Sequence, residues 1–530
     1  MTHAPPPDLP AKTAVLPPGW PAWLLPLGLA LLVGLITVDG GFVYDDQHAL
    51  QNSPVVQGHV SWTQALQRDF WGRDLGLRGD AVSWRPLLPL LWRGLWQLGS
   101  GSPLAFRLLT VLLHAGATLA VVAAVRDWRR AARDPSADAV ALAAGALFAV
   151  HASHAEAVGA LVSQADLLAT LLGTLALLGL FRAQTLGKGL LAALWLVPAI
   201  LAKESAVLFG LAGLAWLAAH RRGALALAWT AGWMPIALIS LRMQALAFGG
   251  KREAAIDNVL AALPAADRWL AGLSLVARQA LLTVVPAGLA PSHGYAAYTT
   301  DVADLLPAAL VGGLLIAVGL GAGIWALVEH KAWLALALVI YAGPLIAGSH
   351  LLFVGPTELA ERLLYPATAV PVAALALAIQ RGVQTQARQR LALGLLLLAM
   401  AAASWQAQRP WHQPLALWQR GAEVEPKSWR IQHNLGTELA RAGQVEEGLW
   451  HLLVGVWLRR QLPKPVDFRL VEALELLPTG ERLRRAPAVL GGPDACGLID
   501  ALATTAYPTS PADQQQTRAI LHQHTPCPGP

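Results

Sequence analysis

Long apolar segments separated by short polar ones run through residues 20–404. A helix that crosses the hydrocarbon core of a membrane needs about 20 mostly apolar residues. The pattern therefore predicts an all-α, polytopic membrane protein with about 11 transmembrane helices, of which the fifth, sixth and last are short. The predicted spans are 20–38, 103–125, 139–157, 166–181, 189–202, 205–219, 224–241, 304–328, 332–348, 363–380 and 391–404.

Two further apolar segments are predicted to lie at the membrane surface. Residues 86–98 are too short to span, and residues 269–288 contain Arg278 and Pro286. If residues 269–288 formed a span, every later loop would be inverted and the arginine-rich segment 381–390 would lie outside. Both segments are therefore predicted to be interfacial or re-entrant helices.

Basic residues in the short loops predict the orientation of the chain. Short loops on one face contain twelve Lys and Arg residues, whereas those on the other face contain only Lys203 and Arg362. Cytoplasmic loops carry such an excess, so the N-terminus is predicted to be cytoplasmic and the C-terminus extracytoplasmic. Two long loops, residues 39–102 and 242–303, then lie outside. The twelve residues are Arg126, Arg129, Arg130, Arg133, Arg182, Lys188, Arg221, Arg222, Lys331, Arg381, Arg388 and Arg390.

The composition agrees with a membrane protein. The 530 residues are 55% hydrophobic and 14% charged, against roughly 25% charged in soluble domains. The 21 tryptophans fit this class because indole rings favour the membrane interface. The net charge of +6 comes from short loops, so no nucleic-acid partner is predicted. The Pro-rich residues 1–19 are predicted to be a disordered cytoplasmic tail before an uncleaved first anchor.

Hydrophobicity falls after residue 405, while helical periodicity continues. Residues 425–453 contain Trp429 and two apolar stripes separated by a turn at Ala442-Gly443, which is close to the tetratricopeptide pattern. Residues 20–404 are therefore predicted to form a membrane domain, and residues 405–530 a small extracytoplasmic tetratricopeptide-like domain.

The two cysteines, Cys496 and Cys527, lie near the C-terminus. They could form one disulfide in an oxidising compartment or remain two unpaired thiols. Residues 509–523 are predicted to form a further helix of the C-terminal domain.

An acid pair directly follows the first predicted span. The motif GFVYDD begins at Gly41 and contains Asp45 and Asp46, at the expected boundary between lipid and water. A membrane enzyme would hold a general base for a water-soluble acceptor at this position. Alternatively, one of the two acids caps the next short helix.

A second cluster contains His151, His154 and Glu156, followed by Asp166. Histidines at i and i+3 with a nearby Glu could be metal ligands on one helical face. The alternative is a hydrogen-bonded loop between two helices.

A third pair, Lys203 and Glu204, stands at a predicted helix break deep in apolar sequence. Ionisable residues at such positions are usually paired or functional. A mutual ion pair is the simplest alternative.

The outer end of the tenth predicted span carries Glu358, Glu361 and Arg362. An arginine there could bind a lipid phosphate through two hydrogen bonds, or it could form an ion pair with Glu358 or Glu361. His293 and Tyr295 follow the second interfacial segment and are expected to face the same site.

All these residues fall at the predicted outer ends of helices. Carboxylates could deprotonate an acceptor, a cation could hold a phosphate leaving group, and an apolar groove could hold a lipid tail. This arrangement suits glycosyl transfer from a polyprenyl-phosphate sugar. Phosphate is a good leaving group, so no strong general acid or cofactor is required. A divalent metal is compatible with this chemistry, although no motif demands one.

The order of these motifs resembles the transmembrane and tetratricopeptide-repeat O-mannosyltransferases and their bacterial relatives, which are multi-spanning GT-C glycosyltransferases. The motifs are FVYDDQHALQNSP, SWRPL, FAVHASHAEAVGALVSQADLLAT, LAKESA, AERLLYPAT and the tetratricopeptide-like tail. The resemblance implies a polyprenyl-phosphate-linked sugar donor and a protein or glycan acceptor. It also implies an inverting enzyme in a bacterial inner membrane. It does not specify the sugar or the acceptor.

The resemblance implies roles at matching positions only. One of Asp45 and Asp46 would be the catalytic base, and Arg362, which follows Glu361, would lie near the donor phosphate. The other matched residues would bind the donor or line the outer loops. They are Arg85, His151, His154, Glu156, Asp166, Lys203 and Glu204.

The chain departs from the family pattern at two places. Ala152 stands where the family often has Pro, and Ser292-His293-Gly294-Tyr295 stands where it often has Asp-Tyr. The repeat array is also short, which predicts a platform in place of a long peptide-binding superhelix.

Two other functions are compatible with a polytopic chain. A transporter or flippase of a lipid-linked substrate would have paired charges near the bilayer midplane and internal repeats. A non-catalytic assembly scaffold would use the helical tail to recruit partners, and the acids of the outer loops would then have no role.

Overall fold

The computed structural model describes residues 23–75, 83–248, 258–293, 302–355, 357–461, 469–478, 482 and 485. Every named element within these residues is a helix. Only two isolated β-bridges occur there, between Arg68 and Asp74 and between His293 and Leu359. The predicted all-α fold is confirmed. Tyr295, Cys496, Cys527 and residues 509–523 lie outside the described residues.

Sixteen α-helices precede the C-terminal region in the described part of the chain. They are α1 (Leu24–Gly34), α2 (Trp62–Ala65), α3 (Leu87–Leu98), α4 (Pro103–Ala131), α5 (Ala137–Ala149), α6 (Ala155–Gly159), α7 (Gln164–Phe181), α8 (Leu186–Ala193), α9 (Leu196–Ala202), α10 (Val207–Ala219), α11 (Gly223–Phe248), α12 (Ala265–Leu282), α13 (Val302–Val328), α14 (Ala332–Ala347), α15 (Ala369–Gly382) and α16 (Gln386–Gln408). The C-terminal helices are α17 (Pro414–Val424), α18 (Trp429–Arg441), α19 (Val445–Gln461) and α20 (Arg469–Glu475).

Apolar helices occupy the positions of the predicted spans. Within the described residues, five helices are long and apolar enough to cross a membrane, and a bent pair (α5 with α6) would make a sixth. Five shorter apolar helices coincide with the remaining predicted spans. The chain is therefore a multi-pass membrane protein, and the number of 11 spans stays a prediction. The five long helices are Pro103–Ala131, Leu161–Phe181, Gly223–Ala247, Asp304–Val328 and Gln386–His412.

Extended residues interrupt two of the apolar helical segments, at His151 and Lys203, and another, Ala360, precedes the turn that leads into α15. His151 (ψ 120°), Lys203 (ψ 129°) and Ala360 (ψ 119°) leave the helical region of backbone space. A broken helix within a membrane protein is tolerated where its polar backbone is buried in protein or lines a cavity. Each of these extended residues falls within a motif identified in the sequence. Parts of the polar motifs therefore lie in non-helical segments between the apolar helices.

The two segments predicted to be interfacial are both helical. They form α3 and α12, and α12 packs against α13. Helix α12 buries Leu275 and Leu282 while Trp269 and Leu281 remain exposed. This two-sided character is typical of a helix at an interface, and the position of both helices relative to a membrane stays a prediction.

Helices α18 and α19 form a closely packed pair. A Cβ atom added to Gly436 would lie 2.6 Å from the carbonyl oxygen of Gly448, and one added to Gly448 would lie 2.7 Å from that of Gly436. The two helices can therefore approach so closely only because both positions are glycine. The turn between them contains Gly443 at φ 83°, where the sequence predicts a turn. The assignment to the tetratricopeptide class and the division into domains stay predictions.

Candidate functional site

The segment before α15 is joined to the break after α5 by one carboxylate. The backbone N–H of Arg362 donates to Oε2 of Glu156 at 2.9 Å, and its Nη1 donates to Oε1. The Glu156 side chain is 3% exposed and that of Arg362 is 22% exposed. Arg362 thus pairs with Glu156 and not with Glu358 or Glu361, the partners weighed in the sequence analysis. Burial lowers the pKa of Arg362, but the nearby carboxylates together outweigh it and raise the pKa above its usual value, so the guanidinium is cationic.

The two acids of the first loop have different environments. Asp46 is fully buried, and its carboxylate accepts from the backbone N–H of Val162 at 3.0 Å and from that of Val43 at 3.3 Å. It makes no side-chain cap bond to the turn that follows it. Burial raises the pKa of Asp46 to about 7, although nearby Arg107 and the two backbone bonds oppose this rise. Asp46 therefore joins the segment after α1 to the segment between α6 and α7.

Asp45 is partly exposed and faces charged groups from several elements. Burial raises its pKa, while the positive charges of Arg362 and Arg430 lower it. The charge of Asp45 in turn acts on Arg362. The structure therefore brings the partly exposed acid of the first loop and the arginine before α15 into one electrostatic environment.

Two further ion pairs extend the site. Arg85 donates to both carboxylate oxygens of Glu204, from Nε at 2.8 Å and from Nη2 at 2.6 Å. Lys203 forms a buried ion pair with Asp166. Lys203 and Glu204 thus do not pair with each other. Lys203 pairs with Asp166 of α7, and Glu204 pairs with Arg85 of the segment before α3.

Three cations lie close together beside these acids. The charge of Arg362 acts on both Arg85 and Lys203. Each of the three has an acidic partner that fixes its position. Such a preorganised group of cations can stabilise negative charge on a ligand without moving at the moment of reaction.

The two histidines between α5 and α6 are held by hydrogen bonds. His151 contacts the carbonyl oxygen of Thr283 at 3.1 Å and the hydroxyl of Ser153 at 2.8 Å, and His154 contacts the hydroxyl of Thr368 at 2.8 Å. These bonds match the hydrogen-bonded loop considered in the sequence analysis. No cluster of three or more potential metal ligands occurs among the residues that the structure describes.

His293 forms a buried bridge between two acids. Its Nε2 lies 2.7 Å from Oε1 of Glu361, and its Nδ1 lies 3.1 Å from Oε1 of Glu425. The two carboxylates outweigh burial and raise the pKa of His293 to about 9, so the imidazole is a cation. Since Glu425 follows α17, this bridge connects the C-terminal helices to the motif that contains Arg362.

Glu358 supports the segment before α12. It accepts from the backbone N–H of Val259 at 2.9 Å and is 3% exposed. Burial raises the pKa of Glu358 to about 7. These contacts indicate a role in holding the loop.

Sequence reasoning missed three residues that contact the site segments. Arg107 donates to the carbonyl oxygens of Gly41 and Gly159 and so joins the loop after α1 to the end of α6. An arginine inside an apolar helix is costly and usually functional, and this signal could have identified it. Tyr44 has φ 51°, and Arg430 of α18 hydrogen-bonds to its side chain. No local pattern reveals these two features.

The fold and the site define a multi-pass, all-α membrane protein whose buried ion pairs join helix breaks and the loops between helices. Comparison with known proteins places the sequence near one group. It is 39% identical to protein O-mannosyl-transferase Tmtc1 of Drosophila melanogaster over 183 residues, which is 34% of this chain and 20% of that relative. It is 43% identical to protein O-mannosyl-transferase Tmtc2 of the same fly over 143 residues, or 27% of this chain and 14% of that relative.

A human relative gives a similar result. Protein O-mannosyl-transferase TMTC4 of Homo sapiens is 33% identical over 179 residues, which cover 32% of this chain and 24% of that relative. No protein-family model matches the chain. The resemblance inferred from the motifs is confirmed by these relatives. The chain matches only about a fifth of the length of the curated relatives.

Proposed function

We propose that this protein is a glycosyltransferase that moves a sugar from a polyprenyl-phosphate donor to an acceptor hydroxyl on the extracytoplasmic face. The observation that carries the proposal is that the segments of Asp45 and Arg362 meet at residues 156–162: Asp46, next to Asp45, accepts from the N–H of Val162, and Glu156 accepts from Arg362. An acid that can accept a proton thus lies near a cation that can hold a phosphate. The names of the relatives, protein O-mannosyl-transferases, favour mannose as the sugar and a protein as the acceptor.

Asp45 is the better candidate for the base. Asp46 is buried and accepts two backbone hydrogen bonds, so an incoming hydroxyl has no access to it. Asp45 remains partly exposed. A general base must come within hydrogen-bond distance of the proton that it removes, and of the two acids only Asp45 has an exposed surface from which to do so.

Arg362 is the candidate for donor recognition. Glu156 engages its backbone N–H and Nη1, and 22% of the side chain stays exposed. A guanidinium has five N–H donors, so others can reach a phosphate oxygen. The ion pair with Glu156 holds the planar group in one orientation before the donor arrives.

The reaction is a single inverting displacement. Asp45 takes the proton of the acceptor hydroxyl while the hydroxyl oxygen forms a bond to the anomeric carbon of the sugar. The bond between that carbon and the phosphate oxygen breaks, and the polyprenyl phosphate leaves with the electron pair. Arg362 holds the departing phosphate, and the positive charges of Arg85 and Lys203 add to the stabilisation from a distance. The step requires no general acid, and its cationic leaving-group site requires no metal ion.

The proposal is tested with the full chain in lipid nanodiscs. The probe is a short-chain polyprenyl phosphate carrying radiolabelled mannose, and a periplasmic protein extract is the acceptor. We expect the wild type to transfer label to protein. The rate of transfer by Arg362→Gln should be at least about 100-fold lower. Arg441→Gln, an exposed arginine of α18, is the matched control. Equal rates for the two variants would overturn the role of Arg362. Transfer of label only to lipid or glycan would show that the acceptor is not a protein.

A further inference from the structure

The C-terminal helices touch both halves of the proposed catalytic centre. Tyr44, the residue before Asp45, contacts α17 and α18, whereas Glu361, the residue before Arg362, is bridged to the end of α17 by His293. Two segments far apart in the sequence are thus held by the same few turns of helix. A platform that only collected acceptors would not need such contacts.

The backbone of Tyr44 is strained, and its ring is anchored in the C-terminal helices. The residue has φ 51°, a left-handed conformation that is rare for a bulky side chain. Its ring lies 4.9 Å from that of Trp418 at an interplanar angle of 84°. It packs against the buried cluster of Trp418, Ile431 and Leu435. Strain of this kind persists only where surrounding contacts impose it; α17 and α18 supply part of these contacts, and the buried cluster around the first loop supplies the rest.

Arg430 adds a polar contact at the same place. It hydrogen-bonds to the Tyr44 side chain, and its positive charge acts on Asp45. The other charged or titratable groups that act on Asp45 are Arg362, Glu156, His48, Tyr44 and Asp46. Arg430 is thus the cation that α18 contributes to the surroundings of the candidate base.

We propose that α17 and α18 complete the catalytic centre, with Tyr44 and Arg430 acting as positioning residues that fix the place and orientation of Asp45. This inference rests on the proposed function, because it assigns a purpose to the base of that reaction. Tyr44 holds the backbone of Asp45 through its anchored ring. Arg430 fixes the Tyr44 hydroxyl, and its positive charge acts on Asp45.

Loss of this support should affect the chemical step more than donor binding. The donor phosphate contacts other residues, so the KM for the donor should change little. Misplacement of a catalytic group by about 1 Å can cost about 100-fold in rate, so kcat should fall about 10- to 100-fold in Arg430→Gln. Since the cation lowers the pKa of Asp45, its removal should move the acid limb of the kcat profile to higher pH.

The experiment compares Tyr44→Phe, Arg430→Gln and Arg430→Lys in the full chain in nanodiscs. Tyr44→Phe retains the ring that packs on Trp418 and removes only the hydroxyl. Arg430→Lys keeps the charge and should return the acid limb towards its wild-type position. Arg441→Gln is again the matched control. Each variant is assayed for transfer from the labelled polyprenyl-phosphate mannose between pH 4 and 8, about the range over which a carboxylic base titrates.

Hydrogen exchange supplies a readout that does not depend on transfer. Backbone amides of residues 43–51 should exchange faster in Arg430→Gln than in the control, while those of α7 should not change. Unchanged exchange together with an unchanged pH profile would overturn the proposal. If the wild type transfers no sugar, the proposed function fails, and the exchange comparison alone decides whether α17 and α18 hold the segment that contains Asp45.

Discussion

The backbone N–H of Arg362 and its guanidinium both donate to the carboxylate of Glu156, a residue 206 positions earlier in the chain. One buried acid therefore sets both the backbone position and the side-chain orientation of the cation proposed to bind phosphate. Glu156 lies in α6, directly after the helix break at His151. The break thus allows a carboxylate from a membrane helix to reach the segment before α15.

Removal of the Glu156 charge should weaken both the fold and transfer. In Glu156→Gln, Arg362 keeps a neutral acceptor but loses its counter-ion. Breaking a buried ion pair from one side costs about 3–5 kcal/mol, and we expect a loss near the lower end because Arg362 is 22% exposed. Thermal unfolding in detergent measures stability, and the nanodisc assay measures donor KM, which should rise about tenfold.

The control for this experiment is Glu423→Gln, because Glu423 forms an exposed pair with Arg420. Its effect on stability should be under about 1 kcal/mol. A Glu156→Gln protein with the unfolding temperature and donor KM of this control would show that the pairing does not orient Arg362.

The ion pair between Lys203 and Asp166 should show strong coupling. Both side chains are 5% exposed, so Lys203→Met alone leaves a buried carboxylate without a cation and should cost about 3–5 kcal/mol. The double variant Lys203→Met with Asp166→Leu should recover most of this loss, because it removes both charges. A double-mutant cycle of unfolding free energies measures the coupling. Additive losses would contradict a direct pair.

The two first-loop acids should separate stability from activity. Asp46→Asn places an amide where the carboxylate accepts from two backbone N–H groups, so one of these donors loses its acceptor. This should cost about 1–3 kcal/mol. Asp45→Asn removes a partly exposed acid and should change the free energy of unfolding by less than about 0.5 kcal/mol. Chemical denaturation of the two variants in parallel measures both losses of unfolding free energy. A larger loss in Asp45→Asn than in Asp46→Asn would contradict the structural role of Asp46.

The apolar pattern was sufficient to predict the helices but not the contacts between them. Hydrophobic length reports where a segment can cross a bilayer, and the predicted segments 86–98 and 269–288 were found as α3 and α12. The motifs were also expected at one face because charge bias and helix ends follow from local sequence. Local sequence patterns therefore predict those features, such as helix positions and helix ends, that depend on a single segment of the chain.

The partners of the ionisable residues could not be predicted. Adjacent Lys203 and Glu204 favoured a mutual pair, yet they bind Asp166 and Arg85. The choice depends on how α7, α9 and the first loop pack, and this packing joins segments more than 30 residues apart. The different environments of the two first-loop acids likewise depend on a backbone N–H supplied by another loop.

The bridge through His293 should make stability depend on pH. Its folded-state pKa of about 9 lies above the unfolded value of 6.5. The stabilisation is therefore fully present below about pH 6.5 and is lost as the pH rises to about 9. The free energy of unfolding should fall by up to about 3 kcal/mol over this window. Unfolding measured at pH 6, 7.5 and 9 (spanning about that range) tests this expectation.

The matched comparison for the pH experiment is His293→Gln. This variant cannot gain or lose a proton at the bridge, so its unfolding free energy should lack that component of the pH dependence. Parallel pH curves for the wild type and His293→Gln would show that the imidazole is not a cation in the folded protein.

The most direct test of the central claim is the transfer rate of Asp45→Asn with labelled polyprenyl-phosphate mannose in nanodiscs. The matched control is Asp127→Asn. Asp127 lies near the C-terminal end of α4 and pairs with Arg182, which directly follows α7. If Asp45 is the base, the Asn variant still binds the donor and its transfer rate falls at least about 100-fold, while the control keeps its rate. Full transfer by Asp45→Asn would contradict the account.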